Sequence, residues 1–122
     1  MCVTPTISTR NGKLELVLGT PGSYGILQTQ VQAYVQYVDY GLPLQEAIEA
    51  PRARLWDGRQ VEPETRFAAA TIDALRQRGH DIMPSDGWTM RVGGMQAVAI
   101  NQETGTLTGA ADPRRDGYVA TP

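Results

Sequence analysis

Leucines and other residues alternate along residues 13–18. Leu14, Leu16 and Leu18 fall on one face and Lys13, Glu15 and Val17 on the other, the two-residue period of a strand with one buried side. Thr6 to Thr9 reads as its hairpin partner, because Arg10-Asn11-Gly12 lies between the two runs and Asn-Gly tolerates the positive φ of a tight turn. The period then changes. Leu27, Val31, Tyr34, Val35 and Val38 recur at helical spacing with Gln28, Gln30, Gln32 and Gln36 between them, which predicts the longest helix, ending near Gly41. Pro43 suits the first turn of a short helix through Leu44, Ala47 and Ile48, which must stop at Ala50 because Pro51 follows.

Beyond Pro51 the apolar runs shorten. Arg52 to Trp56 and Gln60 to Glu62 read as short strands around Asp57-Gly58. Pro63 and Glu64 are expected to open a third helix, with Phe67, Ala68, Ile72 and Leu75 on its inner face and Gly79 as its stop. Met83 to Gly94, with Pro84, Asp86-Gly87 and Gly93-Gly94, reads as a loop in which Trp88 is a candidate anchor. Gln96 to Ile100 and Thr106 to Ala110 form a last hairpin around Asn101 to Gly105. The fold class expected is α+β, with antiparallel strands and about three helices in a single domain over residues 1–122.

Composition narrows function by exclusion. Apolar residues make up 41% and charged residues 20%, which is globular, and the net charge of −2 with no basic cluster leaves no footprint for nucleic acid or an anionic membrane. No run reaches the ~18 apolar residues of a membrane span, and MCVTPTISTR lacks the order of a signal peptide. These features leave the compartment unassigned. A single cysteine, Cys2, and a single histidine, His80, far apart, make neither a disulfide nor a His/Cys zinc site. No metal or other cofactor is expected.

The chemistry therefore concentrates at GTPGSYG, residues 19–25, where a strand hands over to a helix through three glycines. There is no Gly-Lys-Ser/Thr, and the spacing is G-x-x-G-x-x-G rather than G-x-G-x-x-G, so neither phosphate-binding pattern fits. Two readings stay open: a plain chain reversal, or a set of backbone amides fixed in advance to hold an anion or a developing oxyanion.

In series, "TPTI" (Thr4 to Ile7), "NGKLELVLGTPG" (Asn11 to Gly22), "VDYG" (Val38 to Gly41), "EAIEAPR" (Glu46 to Arg52), Val61-Glu62 and "GAADPRRDGY" (Gly109 to Tyr118) make the chain resemble the gamma-glutamyltransferase family. The resemblance spans nearly the whole chain. It implies part of an Ntn-hydrolase αββα sandwich, corresponding to the C-terminal part of the small subunit made by cleaving a precursor. In the family this turn usually ends Gly-Gly, and the last two amides form the oxyanion hole; Gly22 and Ser23 occupy those positions here, and serine keeps the amide while adding a Cβ. A proline at Gly22 is expected to remove one donor and keep the turn.

Two departures bear on the reaction. Many transferases have a Ser-Ser-Met segment whose hydroxyls hold the substrate's α-carboxylate, and the matching positions here are Met1, Cys2 and Val3, a pattern that resembles the acylase-like branch. The family's nucleophilic threonine and its surrounding motif have no counterpart in these residues, and a cysteine exposed by loss of Met1 would align with the substrate-holding segment instead. The resemblance thus implies an amidohydrolase or acyltransferase acting on a small-molecule amide or gamma-glutamyl substrate, with a nucleophile from elsewhere. It also implies association with a partner chain or with a second copy. The isolated chain is expected to be inactive.

Cys2 and Tyr24 are the candidate substrate contacts, Tyr24 because it adjoins the turn; Trp56 and Trp88 are weaker ones and otherwise close core edges. Asp112, Arg114, Arg115 and Asp116 read as local ion pairs in a turn ahead of contacts to an acidic ligand, Arg52 and Arg54 as structural caps ahead of substrate-facing groups, and His80 as an ordinary residue after a helix stop. Three functions remain: part of an Ntn amidohydrolase or transferase, a non-catalytic self-associating or partner-binding module derived from that family, and a small anion-binding domain.

Overall fold

The computed structural model describes residues 4–121. Strands β1 (Thr6–Arg10) and β2 (Lys13–Gly19) pair antiparallel around Asn11-Gly12, whose φ values of 53° and 76° are those the Asn-Gly turn requires. Helix α1 (Ile26–Val38) follows a single turn of 3-10 helix at Ser23–Gly25, and α2 (Leu44–Glu49) begins behind Pro43 and ends at Ala50 as Pro51 demands. Strands β3 (Ala53–Leu55) and β4 (Gln60–Pro63), helix α3 (Ala69–Gln77), strand β5 (Asp81–Ile82) and the final hairpin β6 (Gln96–Ile100) and β7 (Leu107–Ala111) complete the α+β order.

The larger sheet has the order β1-β2-β6-β7, all antiparallel. Its inner face carries Leu16, Leu18, Ala97, Ala99 and Ala110, which pack with Ala33 of α1, Leu44 and Ile48 of α2, and Met95. The alanines of β6 and β7 keep that face low, so both helices approach closely. On the opposite face Ile7, Val17 and Val98 face one another in register across three strands and are 68%, 37% and 41% exposed. The smaller sheet has the order β3-β4-β5.

The α+β class, with antiparallel strands and three helices, is as expected; β5, a strand the sequence did not offer, runs parallel to β4 because the chain returns through α3 rather than through a hairpin. Two expectations are corrected. The third helix starts at Ala69; Pro63 and Glu64 instead continue an extended segment, Pro63 opposite Ala53 and Glu64 bridged to Ser85. Helix α1 buries Ile26, Thr29, Gln30 and Ala33, leaving Leu27 and Val31 66% and 60% exposed. The inward polar groups are satisfied: Gln30 Nε2 donates to the Leu18 carbonyl (3.1 Å) and Thr6 Oγ1 (2.7 Å), and Thr29 Oγ1 donates to the Gly25 carbonyl (2.9 Å).

Candidate active site

The turn after β2 is held from below by a second glycine pair. Thr20, buried, donates its hydroxyl to the Pro21 carbonyl (2.9 Å) and accepts the Gly94 amide (3.1 Å). Gly22 has φ 142° and Gly93 φ 97°, and a Cβ on Gly22 would lie 3.3 Å from the Gly93 Cα, so the two backbones meet where side chains would keep them apart. This conformation also excludes the proline expected to be tolerated at Gly22, since proline fixes φ near about −65°. Ser23 follows at φ 54°, a left-handed conformation uncommon outside glycine.

The consequence is two free donors. Gly22 gives its carbonyl to the Gly25 amide (3.1 Å), and among the described residues the amides of Gly22 and Ser23 have no protein acceptor. Both residues line a cleft of about 620 Å³ whose walls include Thr4, Gly19, Arg54, Arg91 and Arg115. Acceptor-free amides on residues that line a cleft are of the kind that can hold an anion or an oxyanion. Tyr24 is 84% exposed and stands outside the cleft lining. Cys2 lies outside the described residues.

The frame behind the cleft is ionic. Arg52, Glu64, Asp112 and Arg114 are all buried, and they neutralise one another both locally, Arg114 with Asp112, and across long stretches of sequence. Arg52 pairs through Nη2 with Asp112 Oδ2, and Arg114 donates to Glu64 through Nε (2.7 Å) and Nη2 (2.6 Å) and to Asp112 Oδ1 through Nη1 (3.1 Å). The same guanidiniums satisfy the end of α2, Arg114 reaching the carbonyls of Ile48 (3.1 Å) and Ala50 (3.1 Å). Asp112 Oδ2 also accepts the Met95 amide (3.1 Å) and Arg52 Nε donates to the Val92 carbonyl (3.2 Å), so this cluster pins both ends of Gly93-Gly94, and through them the Gly22 turn.

Burial would raise the Asp112 carboxyl, yet Arg52 and Arg114 hold it below the usual range. Burial pushes Arg52 down despite Asp112, while Arg114, which burial alone would also lower, is held above its ordinary value by Glu64 and Asp112. Sequence reasoning missed Glu64, because Pro-Glu reads as a helix start. Arg115 and Asp116 are exposed and take no part in the buried cluster. Trp88 lies under the Arg66 guanidinium at 3.7 Å, and Arg66 Nε donates to the Gly87 carbonyl, so the tryptophan anchors its loop.

Comparison with known proteins decides the family. The gamma-glutamyltranspeptidase family model matches residues 2–121. The chain belongs to the gamma-glutamyltranspeptidase family. It is 41% identical over 117 residues to the acylase ACY 1 proenzyme of Pseudomonas sp. (strain SE83), covering 94% of this chain and 20% of that protein. It is 34% identical over 113 residues to the glutathione hydrolase proenzyme of Escherichia coli (strain K12), covering 92% of this chain and 19% of that protein. The crystal structure of cephalosporin acylase from Bacillus halodurans superposes with a TM-score of 0.90 at 33% identity, over 95% of this chain and 22% of that one. The gamma-glutamyltranspeptidase-like chain is thus an Ntn-hydrolase family member matching the C-terminal part of that fold, and it spans about a fifth of the length of the curated relatives it matches.

Proposed function

We propose that this chain supplies the oxyanion hole and its scaffold to an Ntn amidohydrolase or acyltransferase. The nucleophile, a threonine by family resemblance, comes from a segment outside these 122 residues. When that nucleophile adds to the amide carbonyl, the C=O electron pair moves to oxygen, and the amides of Gly22 and Ser23 stabilise the resulting oxyanion. The proton that the threonine hydroxyl gives up passes to the amide nitrogen, so that collapse expels the amine and leaves an acyl-enzyme, which water or an acceptor amine then releases. The observation that carries this reading is the pair of acceptor-free amides at Gly22 and Ser23, opening on the cleft within a family match over residues 2–121. Identity favours the acylase-like branch, 41% against 34% for the Escherichia coli glutathione hydrolase. Tyr24 contacts substrate only if a further segment folds over it, and Cys2 is the remaining contact assigned by resemblance.

The test is a chimera in which this chain replaces the matching segment of the Pseudomonas acylase proenzyme. It should hydrolyse a glutaryl anilide and the 122-residue chain alone should not. Gly22→Ala keeps the amide, but at φ 142° it sets a Cβ 3.3 Å from the Gly93 Cα, so the donor must shift and turnover should fall by up to about 10²-fold. Turnover unaffected by that shift would remove the oxyanion assignment.

A second reading, a partner-binding or self-associating module without catalysis, is favoured by one specific observation. The exposed row of Ile7, Val17 and Val98 is an apolar sheet face of the kind that partners cover.

A further inference from the structure

The outer row of the larger sheet does not stop at β6. Ile7 stands opposite Val17, Val17 opposite Val98 and Val98 opposite Gly109, so the fourth place in the row falls on a residue without a side chain. Gly109 leaves a notch on β7, and the C-terminal tail fills it. A Cβ on Gly109 would lie 2.6 Å from Val119 Cγ1 and 3.4 Å from its Cγ2, so the valine sits where the missing side chain would stand. Two residues earlier Gly117 rests on Ala111, and a Cβ on Gly117 would come within 3.2 Å of the Ala111 Cβ. Gly109 and Ala111 share a face of β7, so the tail runs back over that strand on the outer side of the sheet.

The tail is laid there lightly. Gly117 donates its amide to the Asp112 carbonyl (3.4 Å), but among the described residues Tyr118 to Thr121 make no hydrogen bond to the rest of the protein. Tyr118 is 89% exposed and Val119 48%. The packing of one valine in one notch holds the segment down.

A second layer would need the same space. Sheets pack face to face about 10 Å apart, with the side chains of both faces filling the gap, and a backbone lying directly on β7 already occupies it. Ile7, Val17 and Val98 carry no charge, so the row can meet its own copy across a two-fold axis without like charges facing. Over β7 the tail stands between the two copies.

We propose that the C-terminal tail is a displaceable strap: with Val119 seated on Gly109, it keeps the β7 end of the outer face from packing against a second copy of this chain. Docking there waits on release of the tail, and its apparent affinity is reduced by the fraction of molecules in which the tail is down. The strap acts at the sheet face, independently of the amides of Gly22 and Ser23.

Sedimentation velocity of the 122-residue chain, of a chain ending at Gly117 and of Val119→Ser tests this. Both changed chains should self-associate at about tenfold lower concentration than wild type, since each removes the plug and leaves the row intact. Gly109→Ser reaches the same end from the other side, because its Cβ displaces Val119 while adding no apolar surface, and it serves if the shortened chain loses its native amide dispersion. In the wild type the Val119 methyl resonances should move toward those of a free tail as protein concentration rises. Association no tighter in Val119→Ser and Gly109→Ser than in wild type overturns the proposal, and weaker association would make Val119 part of the docking surface instead. Val119 methyls that stay in place while the mass grows overturn it as well.

Discussion

Gly22 and Gly93 touch backbone to backbone, each in a left-handed conformation, and Thr20 ties the two turns together through the Gly94 amide. The contact is asymmetric. A Cβ on Gly93 would fall 2.3 Å from Thr20 Oγ1 and 3.0 Å from the Pro21 carbonyl, whereas one on Gly22 would come no nearer than 3.3 Å to any atom, the Gly93 Cα. Gly93→Ala should therefore be the more damaging change, because it adds overlap with backbone to a strain of roughly 1–3 kcal/mol. Urea unfolding of both variants checks this, and equal losses would show that strain alone matters.

Ser23 is the converse case, a side chain where the backbone prefers none. Its φ of 54° costs a serine more than a glycine, and its exposed hydroxyl donates to no recorded partner among the described residues. Ser23→Gly should raise the melting temperature or leave it level, because up to about 1–2 kcal/mol of relief is set against glycine's larger chain entropy. It should leave acetate shifts at the Gly22 amide in place. A clear fall in stability would mean that the hydroxyl makes an interaction of its own.

Much of this was legible in sequence, and the rest failed for identifiable reasons. Leu16 and Leu18 were readable as core because a strand's period needs no partner to be seen, and Asn11-Gly12 because its turn is local. Helix α1 was readable in extent but not in face. The sequence offers Leu27 and Val31 as the inner stripe, while the sheet takes Thr29, Gln30 and Ala33, because small or hydrogen-bonded groups fit over Leu18. Of the buried cluster only the local Asp112–Arg114 pair was legible, since Arg52 and Asp112 stand 60 residues apart. Gly25 had no visible reason until Arg54 appeared beside it.

The buried cluster should shape the acid limb of stability. Asp112 titrates lower in the folded protein than in the unfolded chain, so its contribution to stability is complete above the unfolded value of about 3.9 and is lost as pH falls through the lower folded value. Asp112→Asn leaves Arg52 and Arg114 without that charge and should cost about 3–5 kcal/mol at pH 7, with a flatter acid limb than wild type. Urea midpoints between pH 7 and 2 measure both. A variant with an unchanged midpoint at pH 7 would contradict the structural role given to this carboxylate.

The outer face of the larger sheet sets the last expectation. The leucine face of β2 goes into the core through Leu16 and Leu18, and the exposed apolar row on the other face is Ile7, Val17 and Val98. The row crosses three adjacent strands, and among the described residues β1 and β7 are the edges of the sheet, so a second sheet can pack face to face on it. Burying such surface yields about 25 cal/mol per Å² of apolar area, enough to drive association at micromolar concentration if several hundred Å² are covered on each side. Light scattering should then show a mass that rises with concentration for the 122-residue chain, and Val17→Lys, at the centre of the row, should return it to monomer. Leu27→Lys on α1 separates the two exposed faces: if it alone abolishes association, the helix and not the sheet is the docking surface. A wild-type mass that stays monomeric across the micromolar range would mean that this face tolerates water.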